Sequence, residues 1–236
     1  MQNTSYFLNS TTHPKVNMVK QQIQPWNVTD PKVLAALLSL PREAFVPQKY
    51  RVFAFTDWMI PLSPLSRGEK MLTPSLEGKL LQALNLSKQD RVLEVGTGSG
   101  YFSALLGKLA KEVLSVDIYR DFSDEAALNA VSHGVNNVYF ETGDASQSWE
   151  VKHPKFVGTQ FDAIVITGAL SSFPEAYKAL LAEGGRMVAI IGEAPSMQVI
   201  RVTRDKGSLS EFRQESLFDT VVPLLKKSIR QPVFSF

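Results

Sequence analysis

The stretch Arg91-Val-Leu-Glu-Val-Gly-Thr-Gly-Ser-Gly-Tyr101 decides the fold. An apolar run through Val92, Leu93 and Val95 leads into glycines at 96, 98 and 100, and helical spacing begins directly after. Glycine reaches positive φ without a Cβ penalty and lets backbone approach a ligand closely. The helix start behind it presents unpaired N–H groups. Further along, the apolar segments Glu112–Val116, Asn137–Glu141, Phe161–Thr167 and Arg186–Gly192 alternate with helical stretches 99–110, 121–133 and 173–182. That alternation predicts right-handed βαβ crossovers and a doubly wound, mostly parallel α/β sheet of Rossmann-like type. Met197–Arg204 and Glu211–Leu224 then alternate about the turn Asp205-Lys206-Gly207-Ser208, which predicts an antiparallel C-terminal hairpin.

Upstream, Asp30-Pro31 is a helix start, with the cap residue followed by proline at the first helical position. Val33, Leu34, Leu37, Leu38 and Leu40 form its apolar face, and Pro41 ends it. Prolines 41, 47, 61 and 64 stand among Phe45, Tyr50, Phe53, Phe55 and Trp58, so residues 41–70 read as an irregular packed segment. Thr73-Pro74 opens another helix, reaching about Leu84. The expected organisation is a flexible tail over 1–16, a helical and irregular N-terminal segment over 17–85 covering the site, an α/β core over 86–192, and C-terminal antiparallel strands with a tail over 193–236.

Composition narrows the classes. The 236 residues are 44% hydrophobic and 20% charged with a net charge of +2, as in an ordinary globular protein. Interspersed charges with no basic stripe predict neither nucleic acid nor membrane as partner. No cysteine is present, which excludes disulfides, thiolate metal sites and cysteine nucleophiles. His13, His133 and His153 lack metal-ligand spacing, so no metal is expected. Met1–Ser10 is not a signal sequence and no run reaches the roughly 18 apolar residues of a membrane span, so the expectation is a cytoplasmic protein. Oligomeric state is not legible.

Acids mark the strand ends. Asp117 closes the second strand 21 residues after Gly96, where a carboxylate accepts hydrogen bonds from ribose hydroxyls. Gly143-Asp144 closes the third, placed to meet an adenine amine, and Glu94 precedes the loop, placed to hold its backbone or the ligand's amino group. Tyr101 occupies the position where the dinucleotide fingerprint wants glycine, which argues against a bound pyrophosphate and an NAD-dependent dehydrogenase. The joint pattern points to a nucleoside-type cofactor.

These residues resemble a class I S-adenosylmethionine-dependent methyltransferase. Over roughly 18–225 the chain is more specifically similar to the protein-L-isoaspartate O-methyltransferase family. The matches include Leu181-Ala-Glu-Gly-Gly-Arg-Met-Val188 beside the glycine loop, and the more specific ones are Leu40-Pro-Arg-Glu-Ala-Phe-Val-Pro47 and Val222-Pro-Leu224. The resemblance implies S-adenosyl-L-methionine held by Glu94, Gly96, Thr97, Gly98, Ser99, Gly100, Asp117, Ile118, Gly143, Asp144 and Ala145. It also implies methyl transfer to a carboxylate of a protein or peptide, isoaspartyl favoured, in protein repair. The Asn/Asp-Pro-Pro-aromatic motif of many enzymes that methylate nucleic-acid amines is missing; Thr167-Gly168-Ala169-Leu170 stands there.

The substrate side departs from the family. Its usual Gly-Gln-Thr-Ile-Ser-x-Pro aligns with Gly68-Glu-Lys-Met-Leu-Thr-Pro74, so the threonine falls on Lys70 and the active-site serine on Leu72. Thr73 is a candidate replacement hydroxyl or a helix cap; Lys70, Leu72, Pro74, Thr167, Gly168 and Ala169 are candidate substrate residues. Two alternatives stay open: a divergent member with another acceptor, and a cofactor-binding module without catalysis.

Overall fold

The computed structural model describes residues 13–63, 68–207 and 211–228. Helix α1 (Pro14–Asn17) runs on into a π turn, Met18–Ile23, and a 3-10 turn, Gln24–Trp26. Helical structure therefore begins at Pro14, ahead of the boundary expected at 17; residues 1–12 of the expected tail lie outside the described residues. In α2 (Pro31–Ser39) the Lys32 N–H donates to the Asp30 cap at 2.8 Å. The proline-rich stretch forms 3-10 turns at Arg42–Phe45 and Gln48–Phe53, then a two-residue antiparallel ribbon of β1 (Ile60–Pro61) and β2 (Lys70–Met71). Helix α3 (Pro74–Leu84) follows.

The core then alternates as β3 (Arg91–Val95), α4 (Tyr101–Leu109), β4 (Glu112–Asp117), α5 (Arg120–Ser132), β5 (Val138–Thr142) and β6 (Phe161–Leu170). Three long strands complete it: β7 (Leu181–Glu193), β8 (Ser196–Arg204) and β9 (Phe212–Thr220). The sheet order is β5-β4-β3-β6-β7-β8-β9, with β5 to β7 parallel and β8 and β9 antiparallel. The chain winds outward from β3 to β5, then crosses back to β6. The crevice where that direction reverses is where ligands bind in open α/β sheets.

Strand periodicity of two sorts the core into layers. Val92, Val113, Ala163, Val165 and Val188 pack on one face with side chains of α2, α3 and α4. Leu93, Leu114, Ile164, Ile166 and Met187 pack on the other, roofed by Trp149, Phe156 and Tyr177 from connecting segments.

Two expectations change. The helix expected over 173–182 is only a 3-10 turn, Glu175–Leu180, because Leu181 is already paired with Phe161 in the sheet. The last strand stops at Thr220 rather than Leu224. Pro223 cannot donate to a ladder, and Leu224 instead bridges in parallel to Ala169.

Candidate active site

At the carboxyl ends of β3, β4 and β6 lies a cavity of about 360 Å³. Its walls are the glycine loop, the 68–72 segment and the C-terminal segment 223–226. Among the expected residues, Gly96, Thr97, Gly98, Ser99, Asp117, Ile118, Gly143, Asp144 and Ala145 line it.

The loop conformation follows from close approach. Gly96 has φ +100°, and a Cβ there would sit 2.3 Å from Thr167 Oγ1. The Thr167 hydroxyl lies 3.1 and 2.8 Å from the carbonyl oxygens of Val95 and Gly96, tying β6 to the loop. Gly98 N–H donates to Asp117 Oδ2 at 2.9 Å, and Tyr119 N–H to Oδ1 at 2.9 Å. Burial raises the Asp117 carboxyl above its ordinary value, against the pull of these two donors. Asp144 takes the Ser146 N–H at 3.1 Å and faces Lys227 Nζ at 3.8 Å. Gly143 presses on Trp149, whose ring a Cβ would meet at 2.6 Å.

Two expected cofactor residues stand behind the wall. Gly100 caps α4 at φ +78°, where a Cβ would strike Ala126. Glu94 is fully buried and bonds neither the loop backbone nor the cavity. Its Oε2 accepts from Ser103, and from Ser115 at 2.6 Å, while Oε1 has no hydrogen-bond partner. Burial pushes this carboxyl up to about 8, with the nearby Asp117 adding to the shift.

Of the residues expected to meet a substrate, Lys70, Leu72, Thr167 and Gly168 line the cavity, whereas Thr73, Pro74 and Ala169 do not. Thr73 Oγ1 caps α3, accepting from Leu76 N–H at 3.3 Å, and lies 3.1 Å from Ser75 Oγ. Pro74 is the first residue of that helix and is buried. Ala169 is sealed by the C-terminal segment: its N–H donates to Pro223 at 3.0 Å and its carbonyl accepts from Leu225 at 2.8 Å. Leu225 then fills the space beside Gly168, so that a Cβ on that glycine would lie 2.6 Å from the leucine side chain.

Sequence reasoning missed an ion pair at the cavity wall. Glu77 of α3 lines the cavity and pairs with the buried Arg42. The Arg42 guanidinium also donates to Ala54 O at 2.9 Å and Leu72 O at 2.7 Å, and sits 4.9 Å from the centre of the Tyr101 ring. Burial pushes the Glu77 carboxyl up to about 7, against the pull of Arg42. A signal existed: Glu77 shares the helical face of Leu80, Leu81 and Leu84, where a lone acid demands a partner. Leu62, Glu69 and Lys226, which also line the cavity, carried no such signal. Glu69 and Lys226 face each other at 3.7 Å. Among the described residues there is no cluster of three or more acids or histidines placed to hold a metal, and no helix long and apolar enough to cross a membrane.

Residues 13–228 match the family model described as Protein-L-isoaspartate(D-aspartate) O-methyltransferase. Protein-L-isoaspartate O-methyltransferase 1 of Rhodopseudomonas palustris (strain HaA2) is 38% identical over 210 residues, 88% of this chain and 81% of that one. The Dictyoglomus thermophilum protein-L-isoaspartate O-methyltransferase is 37% identical over 186 residues, 79% of each chain. A solved protein-L-isoaspartate O-methyltransferase superposes with a TM-score of 0.74 at 23% identity, over 88% of this chain but 64% of that one. A Plasmodium falciparum structure, a putative protein-L-isoaspartate O-methyltransferase in complex with S-adenosyl-L-homocysteine, gives 0.71 at 21% identity, over 86% and 94%. The two structures establish the shared fold.

Proposed function

The chain belongs to the protein-L-isoaspartate(D-aspartate) O-methyltransferase family, and from that premise we propose that it transfers a methyl group from S-adenosylmethionine to an isoaspartyl carboxylate of a protein or peptide. The observation that carries the cofactor half of this reading is the Asp117 carboxylate drawn against Gly98 in the cavity. Its oxygens each use one backbone donor and keep lone pairs for ribose hydroxyls. Gly96 and Gly98 hold positive φ with Thr167 and Leu62 packed against them, so the loop backbone keeps a conformation and closeness that a side chain would prevent. Asp144 and Ala145 would receive the adenine edge, with Ile118 as an apolar neighbour.

When bound, the cofactor's sulfonium supplies the reactive methyl. The protein's share is position and environment. An acceptor carboxylate, with a reference pKa near 4, is ionised at neutral pH, so no general base is required. Lys70 brings a positive charge to the cavity wall, while Lys226 there is paired with Glu69. Leu72 and Leu225 supply apolar walls that exclude water around the acceptor. The Thr73 hydroxyl is engaged in capping, so positioning falls to the cavity wall itself.

Calorimetry with S-adenosylhomocysteine and with NADH tests the cofactor half. The expected result is binding of the first alone; tighter binding of NADH would overturn the reading. Product analysis tests the acceptor half: a carboxyl methyl ester releases methanol in mild alkali, and an alkali-stable product would mean another acceptor. Leu72 in the family's serine position is the observation that keeps a divergent acceptor as second reading. In that case Leu72→Ser with Lys70→Thr raises isoaspartyl activity.

A further inference from the structure

We propose that an exposed apolar ledge outside the cavity mouth, built by Val52, Phe53 and Trp58, docks an apolar side chain flanking the methyl acceptor in an extended polypeptide. The inference rests on the acceptor being a residue within a polypeptide. Val52 is 83% exposed, Phe53 43% and Trp58 44%. Large apolar residues held this far into water and gathered within seven positions mark an interaction surface, in contrast to singly scattered ones. Phe53 and Trp58 form one body: the Trp58 ring meets Phe53 at 5.4 Å and Tyr50 at 6.0 Å, both edge-on.

Continuity with the cavity selects the occupant. Leu62 lines the cavity on one side, and on the other lines a shallow groove with Pro47, Gln48 and Lys49. Gln48 and Lys49 open the same 3-10 turn that ends at Phe53. Inside, a Leu62 methyl lies against the glycine loop, 3.0 Å from where a Cβ on Gly98 would stand. Its N–H is fixed by Glu69 O at 3.0 Å, just beyond the ribbon. One side chain thus separates the glycine loop from the outer groove. A cavity of about 360 Å³ that receives cofactor and a reacting carboxylate leaves the rest of the polypeptide to exit at its mouth. An exit past Leu62 enters the groove of Gln48 and Lys49, at the start of the turn that ends at Phe53. An extended strand places alternate side chains on one side at about 6–7 Å spacing, so a residue two or more positions from the isoaspartate is the one to reach it.

The test measures kcat/KM for isoaspartyl hexapeptides carrying Phe or Ala, at each position from one to three on either side of the acceptor. Wild type and Phe53→Ser/Trp58→Ser are compared, with S-adenosylhomocysteine affinity as a control for folding. The expectation is a preference for Phe of roughly tenfold at one flank, carried in KM and lost in the variant. Methylation of Ala-flanked peptides with no flank preference in wild type, or a preference that survives in the variant, overturns the ledge while leaving the reaction standing. Failure to methylate any peptide overturns the reaction instead. Sedimentation of both proteins covers self-association: a wild-type dimer that the variant dissolves gives the ledge to a second copy and overturns the proposal.

Discussion

Asp117 carries the largest share of the account at the scale of single residues. Its carboxylate organises the loop through Gly98 and Tyr119 and retains capacity for a ribose. Asp117→Ala is expected to weaken S-adenosylhomocysteine binding by ~1–3 kcal/mol, the range for stranding hydrogen-bonding groups. Unchanged affinity in calorimetry would remove Asp117 from the site. The position of Asp117 is legible in the sequence because a strand end in an alternating α/β pattern has a predictable place. The partners of Glu94 are not, since sequence does not reveal that Ser103 and Ser115 converge on it from α4 and β4. Thr73 shows the same limit. A hydroxyl one position from the family's serine is within reach in sequence, yet helix capping turns it away from the cavity.

Among the elements, α3 and the Arg42–Phe45 turn are locked by the Arg42–Glu77 pair, which also fixes the Leu72 carbonyl at the cavity wall. Arg42→Met is expected to cost ~3–5 kcal/mol in chemical denaturation, because Glu77 is left buried without its counter-charge. Arg42→Met with Glu77→Leu should recover part of that loss, the Ala54 and Leu72 carbonyls still lacking their donor; purely additive costs would contradict the pairing. The buried Glu94 sets a pH dependence on β3. Its folded pKa of about 8 lies above the ordinary 4.5, so between these values the native state binds more protons than the unfolded state. The stability it contributes is complete below about 4.5 and is lost as pH rises toward 8, with a slope of at most about 1.4 kcal/mol per pH unit. Glu94→Gln should flatten that fall. An unchanged pH–stability profile would show that Glu94 is ionised throughout. Helix starts at Asp30-Pro31 and Thr73-Pro74 are legible from cap chemistry, whereas the 173–182 stretch misleads because the pairing of Leu181 with Phe161 is non-local.

Across the whole molecule, three separate stretches of chain meet at the crevice where the sheet changes direction. The glycine loop gives the floor, residues 68–72 one wall and residues 223–226 the other. Leu225 fits beside Gly96 and Gly168, and Lys226 and Lys227 reach toward Glu69 and Asp144 across the opening. The floor is readable from one contiguous motif. The walls are not, because they arise from contacts between segments as distant in the chain as Glu69 and Lys226. The methyl acceptor decides which reaction the molecule performs. The most direct measurement is transfer of labelled methyl from S-adenosylmethionine to an isoaspartyl peptide beside its normal aspartyl twin. Labelling of the isoaspartyl peptide alone is the predicted result. Equal labelling of both, or none while S-adenosylhomocysteine still binds, would contradict it.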